Sequence, residues 1–230
     1  RVLWDQALPD MSPDQRADIY DELGRVIAAL HKVDFAARGL AGYGKPGNYF
    51  ERQIGRWSKQ YVASITQPIE AMDRLIEWLP TRIPEAAKDA RAVSIVHGDY
   101  RLDNLLYDPE RTRVTVVDWQ TLSVGLPARD LAYFLGTGLP VEQRSGAERE
   151  LVEAYHRALI GYGVTGYDAQ SCWRDYRLGL PQITLISTFG VAFAASSERG
   201  DDMMLAMLSR GCAAIRELGT LELIDEMTAT

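Results

Sequence analysis

Apolar residues recur at helical spacing through the first ninety positions. Ile19, Leu23, Val26, Ile27, Leu30 and Val33 share one helix face. Ser12-Pro13-Asp14-Gln15 supplies the start of that helix, with a capping hydroxyl, a first-turn proline and a glutamine three residues on. A Gly-rich loop from Gly39 to Gly47 follows. A second helix begins near Asn48 with Ile54, Trp57, Tyr61 and Ile65 on one face. A third opens at Pro68, turns Met72, Leu75, Ile76 and Leu79 inward and stops at Pro80.

The pattern then changes period. Val93 to His97 is a short β-branched run, and Asn104 to Asp108 and Arg113 to Asp118 are two more. The last two are separated by Pro109-Glu110-Arg111-Thr112, a turn sequence. From Pro127 helical periodicity returns, over roughly 127–137, 144–162, 168–197 with a bend near Pro181, and 201–218 with Asp201 as its cap. The pattern predicts a mostly helical α+β domain with one small sheet, a β-hairpin, at its centre.

Composition narrows the functions open to such a domain. The chain has 230 residues, 47% hydrophobic and 25% charged, which is enough to build a core without disulfides or a structural metal. Its net charge of -7 lacks the basic footprint that nucleic acid demands. Cys172 and Cys212 form no CxxC pair and read as buried free thiols in a reducing compartment. The stretch Leu178–Ser197 carries Pro181, Gln182, Thr184, Ser187 and Thr188 and reads as a core helix rather than a membrane span. A soluble, cytoplasmic protein is expected, with neither nucleic acid nor membrane as partner.

Two glycine motifs do not carry their usual mechanism. Gly42-Tyr43-Gly44-Lys45-Pro46-Gly47 matches GxGxxG but follows a helix, whereas a dinucleotide fingerprint follows a strand. Gly39 to Lys45 matches the start of GxxxxGK, but Pro46 brings neither the hydroxyl nor the N–H that a phosphate loop needs. Lys45 and the amides opening the next helix remain candidates for holding an anionic group of a substrate.

The chemistry gathers at His97-Gly98-Asp99-Tyr100-Arg101-Leu102-Asp103-Asn104 and Val116-Val117-Asp118-Trp119. A hairpin centred on Arg111 would set Asn104 opposite Asp118, on one face, with Asp99 at the same edge of the sheet. Three oxygen-bearing side chains there suit Mg²⁺. In a kinase-type site, one Asp orients and deprotonates the acceptor hydroxyl, and an Asn and a second Asp hold the metals that bridge the nucleotide phosphates. Asp99 is the candidate base, and Asn104 and Asp118 are the candidate ligands. His97 is expected to pack beneath the loop. Arg101 either holds a substrate or phosphate oxygen or makes a structural ion pair. His31 and His156 lie on helices away from any nucleophile motif.

HGDYRLDN followed by a strand ending in VVDWQ resembles the aminoglycoside phosphotransferase family of kinase-like enzymes. GYGKPGNYFERQIGRWSKQY and IEAMDRLIEWLP resemble, more narrowly, the kinase-like domain fused ahead of the dehydrogenase in some acyl-CoA dehydrogenases, and its free-standing bacterial relatives. The resemblance implies that residues 1–230 form the C-terminal lobe of a protein-kinase-like fold, with Asp99 as base, Asn104 and Asp118 as Mg²⁺ ligands and ATP as phosphate donor. It also implies that Asp130 braces the catalytic loop; the residues alone equally allow an exposed first-turn Asp at a helix N-terminus.

A kinase-like fold has a further lobe with a strand lysine. Lys32, Lys45, Lys59 and Lys88 all fall in expected helices or loops, and Arg1-Val2-Leu3-Trp4 falls just beyond the hinge by resemblance. The N-terminal nucleotide lobe is therefore expected to lie outside this chain, which alone should turn over weakly or not at all. The leading function is ATP-dependent transfer to a hydroxyl of a small molecule, a hydroxyacyl-CoA-like acceptor before an aminoglycoside. A non-catalytic, pseudokinase-like binding module is the alternative, and a metal-dependent phosphohydrolase a third.

Overall fold

The computed structural model describes residues 8–44, 48–83, 93–108, 113–193 and 197–229. Helix α1 spans Pro13–His31 and starts with the expected capping box, in which Ser12 and Gln15 each bond the other's backbone N–H. Its apolar stripe is buried at Ile19, Leu23 and Ile27. Helices α2 (Tyr49–Ser64) and α3 (Glu70–Trp78) follow, and α3 runs on into a 3₁₀ turn over Leu79–Arg82 that contains Pro80 rather than ending before it. The α2 and α3 faces are only partly buried; Trp57 of α2 meets the Phe189 ring at 4.7 Å.

Strands β1 (Ser94–Val96), β2 (Leu105–Asp108), β3 (Arg113–Val116) and β4 (Ser123–Gly125) form two antiparallel pairs among the described residues, not one sheet. β2 and β3 make the expected hairpin. Its register pairs Leu105 with Val116 and Asp108 with Arg113, so its centre lies between Glu110 and Arg111, and each pairing is shifted by one residue from that of a centre at Arg111. Asn104 therefore lies opposite Val117, whose N–H donates to Asn104 O at 2.9 Å, and not opposite Asp118. β4 has no signal of its own in the sequence; it is held by β1, with Ile95 paired to Val124.

Helix α4 (Ala128–Gly138) is buried on every side, so it forms the axis of the helical body. α5 (Val141–Gly161) packs on α1, and α6 (Ala169–Gly179) on α4. The long helix expected over 168–197 is two helices, because the chain turns at Leu180 and starts again as α7 (Pro181–Phe193). α8 (Glu198–Glu217) is capped by Ser197, whose Oγ accepts from Gly200 N, so Asp201 sits in the first turn instead of at the cap. An unanticipated α9 (Thr220–Thr228) follows a left-handed Gly219. Cys172 and Cys212 are free thiols. Among the described residues no helix is long and apolar enough to cross a membrane.

Candidate active site

The loop between β1 and β2 is fixed at its entrance by α4. Asp130, 1% exposed, accepts from His97 N at 2.6 Å and Gly98 N at 2.9 Å. It is buried at the loop's base rather than exposed on a helix end. A second contact reaches it from α1: His31 Nε2 lies 3.3 Å from Asp130 Oδ2, and His31 Nδ1 lies 2.7 Å from the Tyr155 hydroxyl. Burial raises the Asp130 carboxyl's proton affinity, but the His31 bond and charge, Arg129 and the Gly98 amide outweigh it, and the group titrates below its ordinary value. The sequence places His31 on a helix away from any nucleophile motif and gives it no role at the site. The signal was its place four residues after Ile27 on the apolar stripe of α1, where a polar side chain needs a buried partner.

His97 is fully buried beneath the loop. Its Nε2 lies 2.9 Å from Val117 O, and its ring lies 4.9 Å from that of Trp119. Gly98 takes φ +87, and Asp99 emerges beyond it with its side chain 25% exposed. Asn104, at the end of a 3₁₀ turn over Leu102–Asn104, turns back: its Nδ2 donates to Asp99 O at 2.8 Å and to Asp99 Oδ2 at 3.0 Å. The other carboxylate oxygen, Oδ1, faces Arg101 Nε at 3.1 Å, and Arg101 Nη2 reaches Asp103 Oδ2 at 3.1 Å. Arg101 thus makes the ion pair, with its side chain 12% exposed. Burial works against its charge, but Asp99, Asp103 and Asp118 keep the guanidinium protonated. Tyr133, on α4 one turn after Asp130, is buried, and burial together with the charge of Asp99 strengthens its hydroxyl's hold on its proton. It is another residue the sequence reading missed.

Asp118 leaves the β3 ladder in a left-handed conformation, φ 62 and ψ 58, and opens a 3₁₀ turn over Trp119–Thr121. Asp118 is exposed at that break in strand alternation, and its charge acts on Arg101. The structure therefore brings Asp99, Arg101 and Asn104 into direct contact, with the charge of Asp118 reaching Arg101. Lys45 lies outside the described residues; the loop before it docks on the second strand pair, where the Tyr43 hydroxyl donates to Leu122 O at 3.0 Å.

Asn104 and Asp118 can be tested as metal ligands from their chemistry. Both amide protons of Asn104 go to Asp99, so its remaining polar atom, Oδ1, is an acceptor oxygen. Among the described residues no three His, Cys, Asp or Glu side chains form a cage. One amide oxygen and one exposed carboxylate fit Mg²⁺, which keeps several waters and takes its other ligands from phosphates.

The model of the phosphotransferase enzyme family matches residues 1–170. Acyl-CoA dehydrogenase family member 10 of Mus musculus is 41% identical over 143 residues, 60% of this chain and 13% of that protein. Acyl-CoA dehydrogenase family member 11 of Homo sapiens is 38% identical over 135 residues, 58% of this chain and 17% of that protein. The chain thus spans under a fifth of the length of these two relatives. A solved structure from Ralstonia eutropha, described as an aminoglycoside phosphotransferase, is 41% identical with a TM-score of 0.67, covering 94% of this chain and 69% of that one. Choline kinase from Cryptosporidium parvum shares the fold at 13% identity, with a TM-score of 0.60, covering 91% of this chain and 67% of that one.

Proposed function

Because this chain belongs to the phosphotransferase enzyme family, we propose that it carries the acceptor-side half of an ATP-dependent kinase acting on a small-molecule hydroxyl. The observation that supports this reading is the setting of Asp99: a part-exposed carboxylate on a clamped loop, held by Asn104 and Arg101, with the charge of the exposed Asp118 reaching Arg101. Asp99 orients the acceptor hydroxyl and takes its proton as the oxygen attacks the terminal phosphorus, and ADP leaves with the electrons of the broken P–O bond. Asn104 Oδ1 and Asp118 would hold Mg²⁺, which when bound offsets the charge of the nucleotide phosphates. Asn104 and Arg101 fix the carboxylate's rotamer, and Asp130 fixes the loop beneath it.

The likeness to acyl-CoA dehydrogenase family members supports a hydroxyacyl-CoA-like acceptor over an aminoglycoside. Lys32 caps α1 and Lys59 lies within α2, so neither is a strand lysine. We place the main grip on ATP in a lobe outside these residues, and the whole in a reducing, cytoplasmic compartment. In the full-length protein, Asp99→Asn is expected to lower ADP release with hydroxyacyl-CoA by about 10²–10⁴-fold while nucleotide affinity holds within about twofold. Undiminished turnover in that variant would sink Asp99 as the base. Wild-type binding of ATP with no transfer to any hydroxyl would favour the non-catalytic binding module, and phosphate release without an acceptor the phosphohydrolase.

A further inference from the structure

The peptide that joins His97 to Gly98 is gripped from two sides. Its N–H goes to Asp130 in α4. Its carbonyl goes the opposite way, accepting from the Thr121 hydroxyl at 2.7 Å. Thr121 is the last residue of the 3₁₀ turn that begins at Asp118. The same stretch meets the loop at two further points, Val117 O against His97 Nε2 and Trp119 against the His97 ring. Turn and loop also touch backbone to backbone, since a Cβ at Gly98 would stand 2.6 Å from Thr121 O. Thr121 is itself exposed, so burial in the core does not account for it.

We infer that Thr121 is a positioning residue that locks the turn bearing Asp118 to the loop bearing Asp99, so that the two carboxylates move as one body. The inference rests on the roles given above to Asp99 and Asp118. Phosphoryl transfer needs the attacking oxygen, the phosphorus and the leaving oxygen in line, and a misplacement of about 1 Å costs on the order of 10²-fold in rate. Asp99 sets the first of these positions and Asp118, through the phosphates, the other two. Thr121 touches none of the reacting atoms. Its branched side chain is stiff about χ1, which suits a single hydrogen bond that must hold a fixed distance.

Thr121→Val keeps the shape and removes the donor, while Thr121→Ser keeps the donor. In the full-length protein the Val variant is expected to exchange its His97, Gly98 and Asp99 amide hydrogens about tenfold faster, as loss of one net hydrogen bond implies. Its kcat with MgATP and hydroxyacyl-CoA should fall about tenfold, with both KM values within about twofold. The Ser variant should restore both readings. Unchanged exchange in the Val variant overturns the inference, and so does faster exchange with kcat intact or a Ser variant as impaired as Val. If the wild-type protein transfers no phosphate, the reading of the site as a kinase fails, and exchange alone then decides the coupling: acceleration confined to residues 97–99 upholds it and none refutes it.

Discussion

At Asp130 burial and hydrogen bonding act on the proton affinity in opposite directions, and hydrogen bonding wins. The folded form binds a proton less readily than the unfolded chain, so this group's contribution to stability is complete above the unfolded value of about 4. It is lost as pH falls through the lowered folded value, below 3.8. Asp130→Ala strands the amides of His97 and Gly98 and leaves His31 facing an empty site, and it should cost about 3 kcal/mol near pH 7. Urea unfolding at pH 7 and at pH 3 checks this, since the gap between wild type and variant should shrink in acid. Asp99, Asn104 and Asp118 were legible because their spacing repeats a chemical requirement along the chain. His31 and Thr121 were not, because each bonds a partner distant in sequence, 99 and 24 residues away respectively. Arg101 was legible only as a choice between two roles, and its ion pairs become visible only with the folded positions of Asp99 and Asp103.

Among the elements, the helices with strong local signals formed where periodicity and caps placed them, α1 most closely. The hairpin register differs by one from that of a centre on Arg111, because the four residues between Asp108 and Arg113 are centred between Glu110 and Arg111, and that centre gives the observed pairing of Asp108 with Arg113 and Leu105 with Val116. β4 is three residues long and includes a glycine; only its pairing with β1 makes it a strand. The break between α6 and α7 has a packing cause as well as Pro181. Gly179 ends α6 against α4, where an added Cβ would stand 2.8 Å from Ala132 Cβ and 3.0 Å from Arg129 Cα. Arg129 Cα belongs to the backbone and cannot move without moving α4. Gly179→Ala is therefore expected to destabilise the fold by about 1–3 kcal/mol, read from the urea midpoint. The displaced α4 carries Asp130, so the same substitution should speed amide exchange at Gly98.

The whole molecule is a helical body turning on α4, with the polar site set at one side on two short strand pairs. That a choline kinase shares this arrangement at 13% identity shows how far the pattern, rather than the residues, specifies it. The chain's own pattern gave the helical mass and the central hairpin. The split into two strand pairs depends on contacts that cross the molecule. One feature of that strand region bears on how the protein divides its sequence between durability and use. Asp118 sits at φ 62, where an L-residue is strained by about 1 kcal/mol and glycine is not. Asp118→Gly should make the protein more resistant to urea by about 0.5–1 kcal/mol, and at the same stroke abolish phosphotransfer. At φ 62 the backbone itself favours glycine, so at Asp118 the chain gives up a little stability for a carboxylate at the edge of the site.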